Sequence, residues 1–307
     1  MEIPRRDITT DLGLLLIVLI WGVNFSVLKV LLRELDPLAL NALRFPMAAV
    51  ALWILVRRID GSLKPEPEDL RRIITLGLLG NVAYQLCFIF GVDSTFAGNA
   101  SLLLATTPVW TLFLSSVAGH ERPGGWAIIG VAGTLIGIFM VITGSRDAGT
   151  LASPTTRGDL LILIASVLWA MYTVGGRKPV TRYGALRVTA WTLWVATPII
   201  FFMGLPSLMR TDLRTITPEA WIGVTYAGLL GIGLAYLLWY RAVERIGNNR
   251  TAVYSNLVPV AALITAWIWL GEVPTTLQLI GAAVILVGLT LARLAHSPEN
   301  EFQNNEA

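Results

Sequence analysis

Gly77-Leu78-Leu79-Gly80 and Gly228-Leu229-Leu230-Gly231 are the same four residues, set 151 positions apart. The same shift carries Asp93 onto Glu244, Pro108-Val109 onto Pro259-Val260, Glu121 onto Glu272, Pro123 onto Pro274, Gly130 onto Gly281 and Gly137 onto Gly288. Nearer the start of each half, a shift of 148 aligns Asp11 with Asp159, Trp21 with Trp169 and Lys29 with Arg177. Chance in a glycine-rich apolar chain accounts for one or two such matches, not for one register held across three helices. The chain therefore reads as two copies of one unit. Residues 1–144 form the first, 145–157 a polar link, 158–295 the second and 296–307 a disordered cytoplasmic tail.

Each copy is built for lipid. Of the 307 residues, 55% are hydrophobic and 14% charged, against about 25% charged in soluble domains. The charges cluster between long apolar runs, and about 20 apolar residues suffice to cross a bilayer as a helix. Ten spans are expected, at Leu12–Leu32, Leu38–Val56, Ile73–Val92, Ala97–Ala118, Trp126–Ile142, Leu160–Gly176, Leu186–Leu205, Trp221–Tyr240, Thr251–Leu270 and Leu277–Ala292. The first is too long for a signal peptide and no small-residue cleavage site follows it, so it reads as a retained anchor. With both termini in the cytoplasm, sixteen of the 23 Lys and Arg residues fall inside and five outside, while Lys29 and Arg44 lie within spans. That asymmetry obeys the positive-inside rule of a multi-pass plasma-membrane protein, here a bacterial inner membrane.

Five spans per copy is an odd number, so the second copy enters the membrane from the opposite side. The expected fold is all-α, ten transmembrane helices arranged as two inverted five-helix repeats. On that architecture many secondary transporters build alternating access around a midplane site.

The run Ile20-Trp21-Gly22-Val23-Asn24-Phe25-Ser26-Val27-Leu28-Lys29 opens the first copy, and Ala42-Leu43-Arg44-Phe45 follows in span two. Thr106-Thr107-Pro108-Val109 and Gly119-His120-Glu121-Arg122-Pro123 complete it, and the second copy answers with Leu257-Val258-Pro259-Val260 and Leu270-Gly271-Glu272. These motifs resemble the EamA repeat of the drug/metabolite transporter superfamily across nearly the whole chain. The resemblance implies a ten-helix exporter of small metabolites, and among the branches it is most similar to the YddG-type exporters of aromatic amino acids. Two departures mark the second copy, Ala170 in place of Gly22 and Thr192 in place of Arg44. They leave the family resemblance intact, and on this reading the two halves are not expected to be functionally equivalent.

A carrier needs polar or aromatic groups at membrane depth to replace a solute's hydration. The candidates are Trp21, Asn24, Tyr84, Gln85, Asn99, Trp169, Tyr172, Tyr254, Ser255 and Asn256. Trp21 and Asn24 share a helix face, as do Trp169 and Tyr172 at the matching place. Intramembrane Trp and Tyr also serve as interface belts, and Asn and Gln as bridges between helices. The two matched tryptophans favour the cavity, because each lies ten residues, or about 15 Å, into its span. Pro108 and Pro259 fall mid-span and act either as gating hinges or as fixed kinks. Arg44 either snorkels, pairs internally or meets a substrate carboxylate. Glu121 and Glu272 read as turn and capping residues. Gly130 with Gly137 and Gly281 with Gly288 put small residues on one helix face, for close packing or for dimerisation.

Other functions find little support. The chain has no His-Glu-x-x-His motif and no Walker loop, and neither His120 nor His296 lies in an apolar run. No enzyme, cofactor or metal is expected, and the charge of +3 is spread by topology and not gathered into a nucleic-acid patch. Cys87 sits alone in an apolar run and reads as structural. The expected partners are membrane lipid and a small-molecule substrate, amino acids above all with aromatic ones favoured, carried by a monomer or homodimer. A drug or nucleotide-sugar carrier is the alternative within the superfamily, and a passive channel is the alternative outside it. Asp93, Glu121, Asp159, Glu244 and Glu272 all read as span ends or loops, which points to movement down the substrate's own gradient.

Overall fold

The structure is a computed structural model and describes residues 8–59, 64–117, 125–144, 154–255 and 257–294. Among these residues every regular element is helical. Helices α1 (Ile8–Leu31) and α2 (Pro37–Ile59) lead into α3 (Pro67–Ser94), followed by the short pair α4 (Ala97–Leu104) and α5 (Thr107–Val117) and then by α6 (Gly125–Thr143). The second half comprises α7 (Pro154–Tyr183), α8 (Ala185–Arg210), α9 (residues 218–255), α10 (Val258–Leu270) and α11 (Thr276–Leu294). Six of the described helical stretches are long and apolar enough to cross a membrane, and Ile128–Thr143, Val258–Leu270 and Thr276–Gly288 are shorter apolar helices. Large apolar side chains such as Ile128, Phe139, Phe202, Trp267 and Ile268 face outward, as they do where the surroundings are lipid.

The packing carries the repeat into three dimensions. The pairs α6–α11 and α2–α8 each join a helix to its own counterpart. The contact of α1 with α9 is mirrored by that of α7 with α3, and the contact of α1 with α10 by that of α7 with α4 and α5. Exchanging the halves therefore leaves this set of contacts unchanged. The spaced glycines are consumed here: a Cβ on Gly137 would stand 2.7 Å from the Gly281 carbonyl, and one on Gly288 would stand 2.6 Å from the Gly130 carbonyl. That face packs α6 on α11 within the chain and is not free for a second copy.

Two elements differ from the sequence reading. Span four is broken after Leu104, four residues before Pro108, and within span nine a new helix opens at Val258, one residue before Pro259. A proline ring clashes with the carbonyl four residues earlier and removes one backbone donor, which favours a break at these points. In the first copy, hydroxyls take up the freed acceptors: Thr106 Oγ1 donates to the Leu103 carbonyl (2.6 Å) and Thr107 Oγ1 to the Leu104 carbonyl (2.7 Å). Both prolines thus open a new helix instead of kinking one. Conversely, no break falls at the expected link between spans eight and nine. Gly247, Asn248 and Asn249 are only weakly unfavourable in a helix, and α9 continues through them.

Both glycine motifs fall at π-helical turns, Leu78–Ala83 in α3 and Tyr226–Leu234 in α9. Wider turns of this kind recur at functional sites. A Cβ on Gly77 would sit 2.8 Å from the Thr192 carbonyl, and one on Gly228 would sit 2.9 Å from the Arg44 carbonyl. Only glycine lets the backbones approach so closely.

Candidate functional site

The π-turns bring the matched aromatic faces together. Trp21 of α1 and Trp169 of α7 meet edge-on with ring centroids 5.9 Å apart. Tyr84 of α3 lies 5.0 Å from Trp169, and Tyr172 lies 5.2 Å from it. From α9, Tyr236 approaches Trp169 to 4.9 Å and Trp239 approaches Trp21 to 5.4 Å, while Tyr240 packs on Tyr172 at 5.1 Å. Such tilted and edge-on pairs are the favoured aromatic geometries. The Trp21 indole donates to the Gly231 carbonyl (3.0 Å) and the Tyr226 hydroxyl to the Ile20 carbonyl (2.9 Å), fixing α1 against the π-turn of α9.

A polar shell surrounds these rings. Asn24, Asn41, Arg44, Asn81 and Gln85 are all buried. Arg44 Nε donates to Asn41 Oδ1 (2.8 Å), and Gln85 Nε2 reaches the same oxygen at 3.5 Å. Arg44 Nη2, Asn41 Nδ2, Asn24 Oδ1, both amide atoms of Asn81 and the Trp239 indole nitrogen are buried without a hydrogen-bond partner. Buried polar atoms are nearly always paired, so such a concentration in one place is chemically distinctive. A separate cleft of about 420 Å³ beside α3 and α7 is lined by Leu76, Leu79, Arg71 and Arg72 among others. Arg72 there is already held by the Gly175 carbonyl (2.9 Å).

The candidates from sequence divide accordingly. Trp21, Asn24, Tyr84, Gln85, Trp169 and Tyr172 converge on this centre. Asn99 stands elsewhere, accepting from Gln278 Nε2 at 2.6 Å, because α4 turns that face toward α11. Tyr254 donates to Asp11 at 2.7 Å, joining α9 to the first turn of α1. Ser255 ends α9, and Asn256 lies outside the described residues. Sequence reading missed Tyr236, Trp239, Tyr240, Asn41 and Asn81. The spacing of Tyr236, Trp239 and Tyr240, three and four residues apart on one helix face, was the signal available for three of them.

The carboxylates also depart from the sequence reading. Asp159 lies near the start of α7, at the span end expected, but it is fully buried there, with the Thr95 hydroxyl donating to it. Glu272 does cap a helix, but a distant one: its two oxygens accept from the Ala97 and Gly98 amides (both 3.2 Å) at the start of α4. Burial pushes the Glu272 carboxyl above its ordinary range, while those amides and the nearby Lys29 and Arg33 pull it back. Glu121 lies outside the described residues.

Comparison with known proteins agrees with this architecture. The model of the EamA-like transporter family matches twice, over residues 8–143 and 156–294. A protein of Streptantibioticus cattleyicolor named "Probable terminal-alkyne amino-acid exporter" is 32% identical over 279 residues, covering 91% of each chain. The "Probable amino-acid metabolite efflux pump" of Salmonella typhimurium is 31% identical over 287 residues, covering 90% of this chain and 91% of its own. One solved crystal structure superposes with a TM-score of 0.67 over 94% of this chain and 99% of its own; at 20% identity the likeness is one of fold. With both halves matched separately and in the order the sequence repeat demands, the chain belongs to the EamA-like transporter family.

Proposed function

We propose that this protein exports small metabolites, amino acids foremost and aromatic ones preferred, through ten spans arranged as two inverted five-helix repeats. The observation that carries the reading is the meeting of Trp21 and Trp169, residues equivalent in the repeat, at the centre of one aromatic cluster. Alternating access requires a site shared by both halves, and this is one. The helix breaks ahead of Pro108 and Pro259 supply the joints about which the halves move. The printed names of the Streptantibioticus and Salmonella relatives support amino acids as cargo.

Coupling is to the substrate's own gradient. Among the described residues Asp159 is the one fully buried carboxylate, and it stands ten residues, about 15 Å, along α7 from Trp169. That distance sets it apart from the solute's path.

The test is counterflow in proteoliposomes with a panel of labelled amino acids. Trp21→Ala and Trp169→Ala should each lower the rate at least about tenfold, with membrane insertion and detergent stability largely unchanged. Equal loss of folded protein would instead make the tryptophans packing residues. Accumulation that appears only under an imposed pH difference, and collapses with a protonophore, would refute gradient-driven movement.

A further inference from the structure

Arg44 is 1% exposed, and its side chain cannot snorkel to either surface. Among the described residues the ion pairs all belong to Arg182, and none includes Arg44. Its electrostatic neighbours are the phenols of Tyr236 and Tyr84, not carboxylates. One of its donors is satisfied by Asn41 Oδ1, whereas Nη2 has no partner. A guanidinium buried without a counter-anion is costly, and breaking such a pair is among the most destabilising changes known. A carrier that keeps one in its centre supplies the missing anion from outside.

The surroundings specify that anion. Arg44 offers a planar fork suited to a carboxylate, and Asn41 Nδ2 beside it is a second unpartnered donor. Gln85, which reaches Asn41 Oδ1, follows Tyr84 in the chain, and the rings of Tyr84 and Tyr236 pack on Trp169. The polar seat and the aromatic wall are therefore contiguous. Gly228 of α9 abuts the backbone and Cβ of Arg44, and Gly231, three residues on, abuts the Asn24 amide, so one stretch of α9 meets both residues, and Asn24 Oδ1 is an unpartnered acceptor. Donors for a carboxylate and an acceptor for an ammonium, set against aromatic rings, match the two ends of a free amino acid.

We propose that Arg44, with Asn41, is the seat of the substrate's carboxylate and restricts transport to solutes that carry one. This rests on the reading of the protein as an amino acid carrier.

The test is competition in the counterflow assay by tryptophan, leucine and alanine, each paired with its own carboxamide. Acids carried by the wild type should compete about 100-fold better than their amides, since the amide leaves the guanidinium unpaired. In Arg44→Gln that ratio should fall to within about threefold, while Arg44→Lys retains part of it. A purely structural arginine would lower the amount of active protein and leave the ratio unchanged. Acids transported by the wild type but matched within about twofold by their amides would overturn the carboxylate seat and spare the amino acid reading. Should none of the acids be carried or compete, both readings fall. Where Arg44→Gln does not fold, Arg44→Lys carries the comparison, and a ratio in it equal to that of the wild type overturns Arg44 as the seat.

Discussion

The two glycine turns occupy equivalent places and face different partners. Gly77 and Gly80 of α3 abut Thr192 and Tyr172, whereas Gly228 and Gly231 of α9 abut Arg44 and Asn24. By the repeat register Thr192 corresponds to Arg44 and Tyr172 to Asn24. In the second copy the pair is closed on itself: the Tyr172 and Thr192 hydroxyls are 2.9 Å apart, and Thr192 also donates to helix carbonyls. In the first copy both side chains keep unpartnered atoms. Duplication supplied one scaffold twice. One copy closes its polar pair on itself, and the other leaves atoms of its pair open, as the proposed ligand site requires.

The comparison breaks most sharply if the second copy is given the first copy's charge. Thr192→Arg should cost about 3–5 kcal/mol, because it buries a cation beside Tyr172 with no anion to meet it. Thermal unfolding in detergent measures this, and an unchanged midpoint would mean the two sites are interchangeable. Next come the glycines. Gly80→Ala places a methyl on the Tyr172 ring and should cost about 1–3 kcal/mol. Gly231→Ala meets only the Asn24 amide, at 3.1 Å, which can turn aside, so its cost should stay below about 1 kcal/mol. Equal losses would contradict the difference in rigidity between the two partners. Tyr172→Phe should cost about 1 kcal/mol of stability and leave the transport rate within about twofold. The smallest effect on stability belongs to Asn24→Leu, near zero because the oxygen removed is already unpartnered, yet counterflow should fall at least about tenfold. A stable variant that transports normally would remove Asn24 from the site.

Much of this was legible in the sequence, and the remainder has physical causes. The spans follow from hydropathy, and the central tryptophans follow from their equal depth in the two copies. The new helices that open at Thr107 and Val258 were also written there, each one residue ahead of a proline, although other prolines such as Pro46 and Pro198 are tolerated within helices. The π-turns were not legible, since no residue pattern specifies them. That Asn99 and Tyr254 lie away from the aromatic centre, on Gln278 and Asp11, was not legible either, because hydropathy gives the depth of a residue and leaves open which neighbour its helix face meets. Asp159 reads as a span end from its position, yet Thr95, from the other half, seals it.

The pairing of counterparts also bears on how the protein is made. The broadest contact of α6 is with α11, and that of α2 is with α8. The ribosome finishes the first half long before those partners exist, so the Gly130–Gly137 face waits in the bilayer until the last helix arrives. Each repeat is therefore a unit of sequence that cannot complete its own packing, and assembly of the bundle is a late event in synthesis. Severing the chain between residues 145 and 153, within the 145–157 link, should accordingly leave two fragments that are degraded when expressed alone and that reconstitute transport when expressed together.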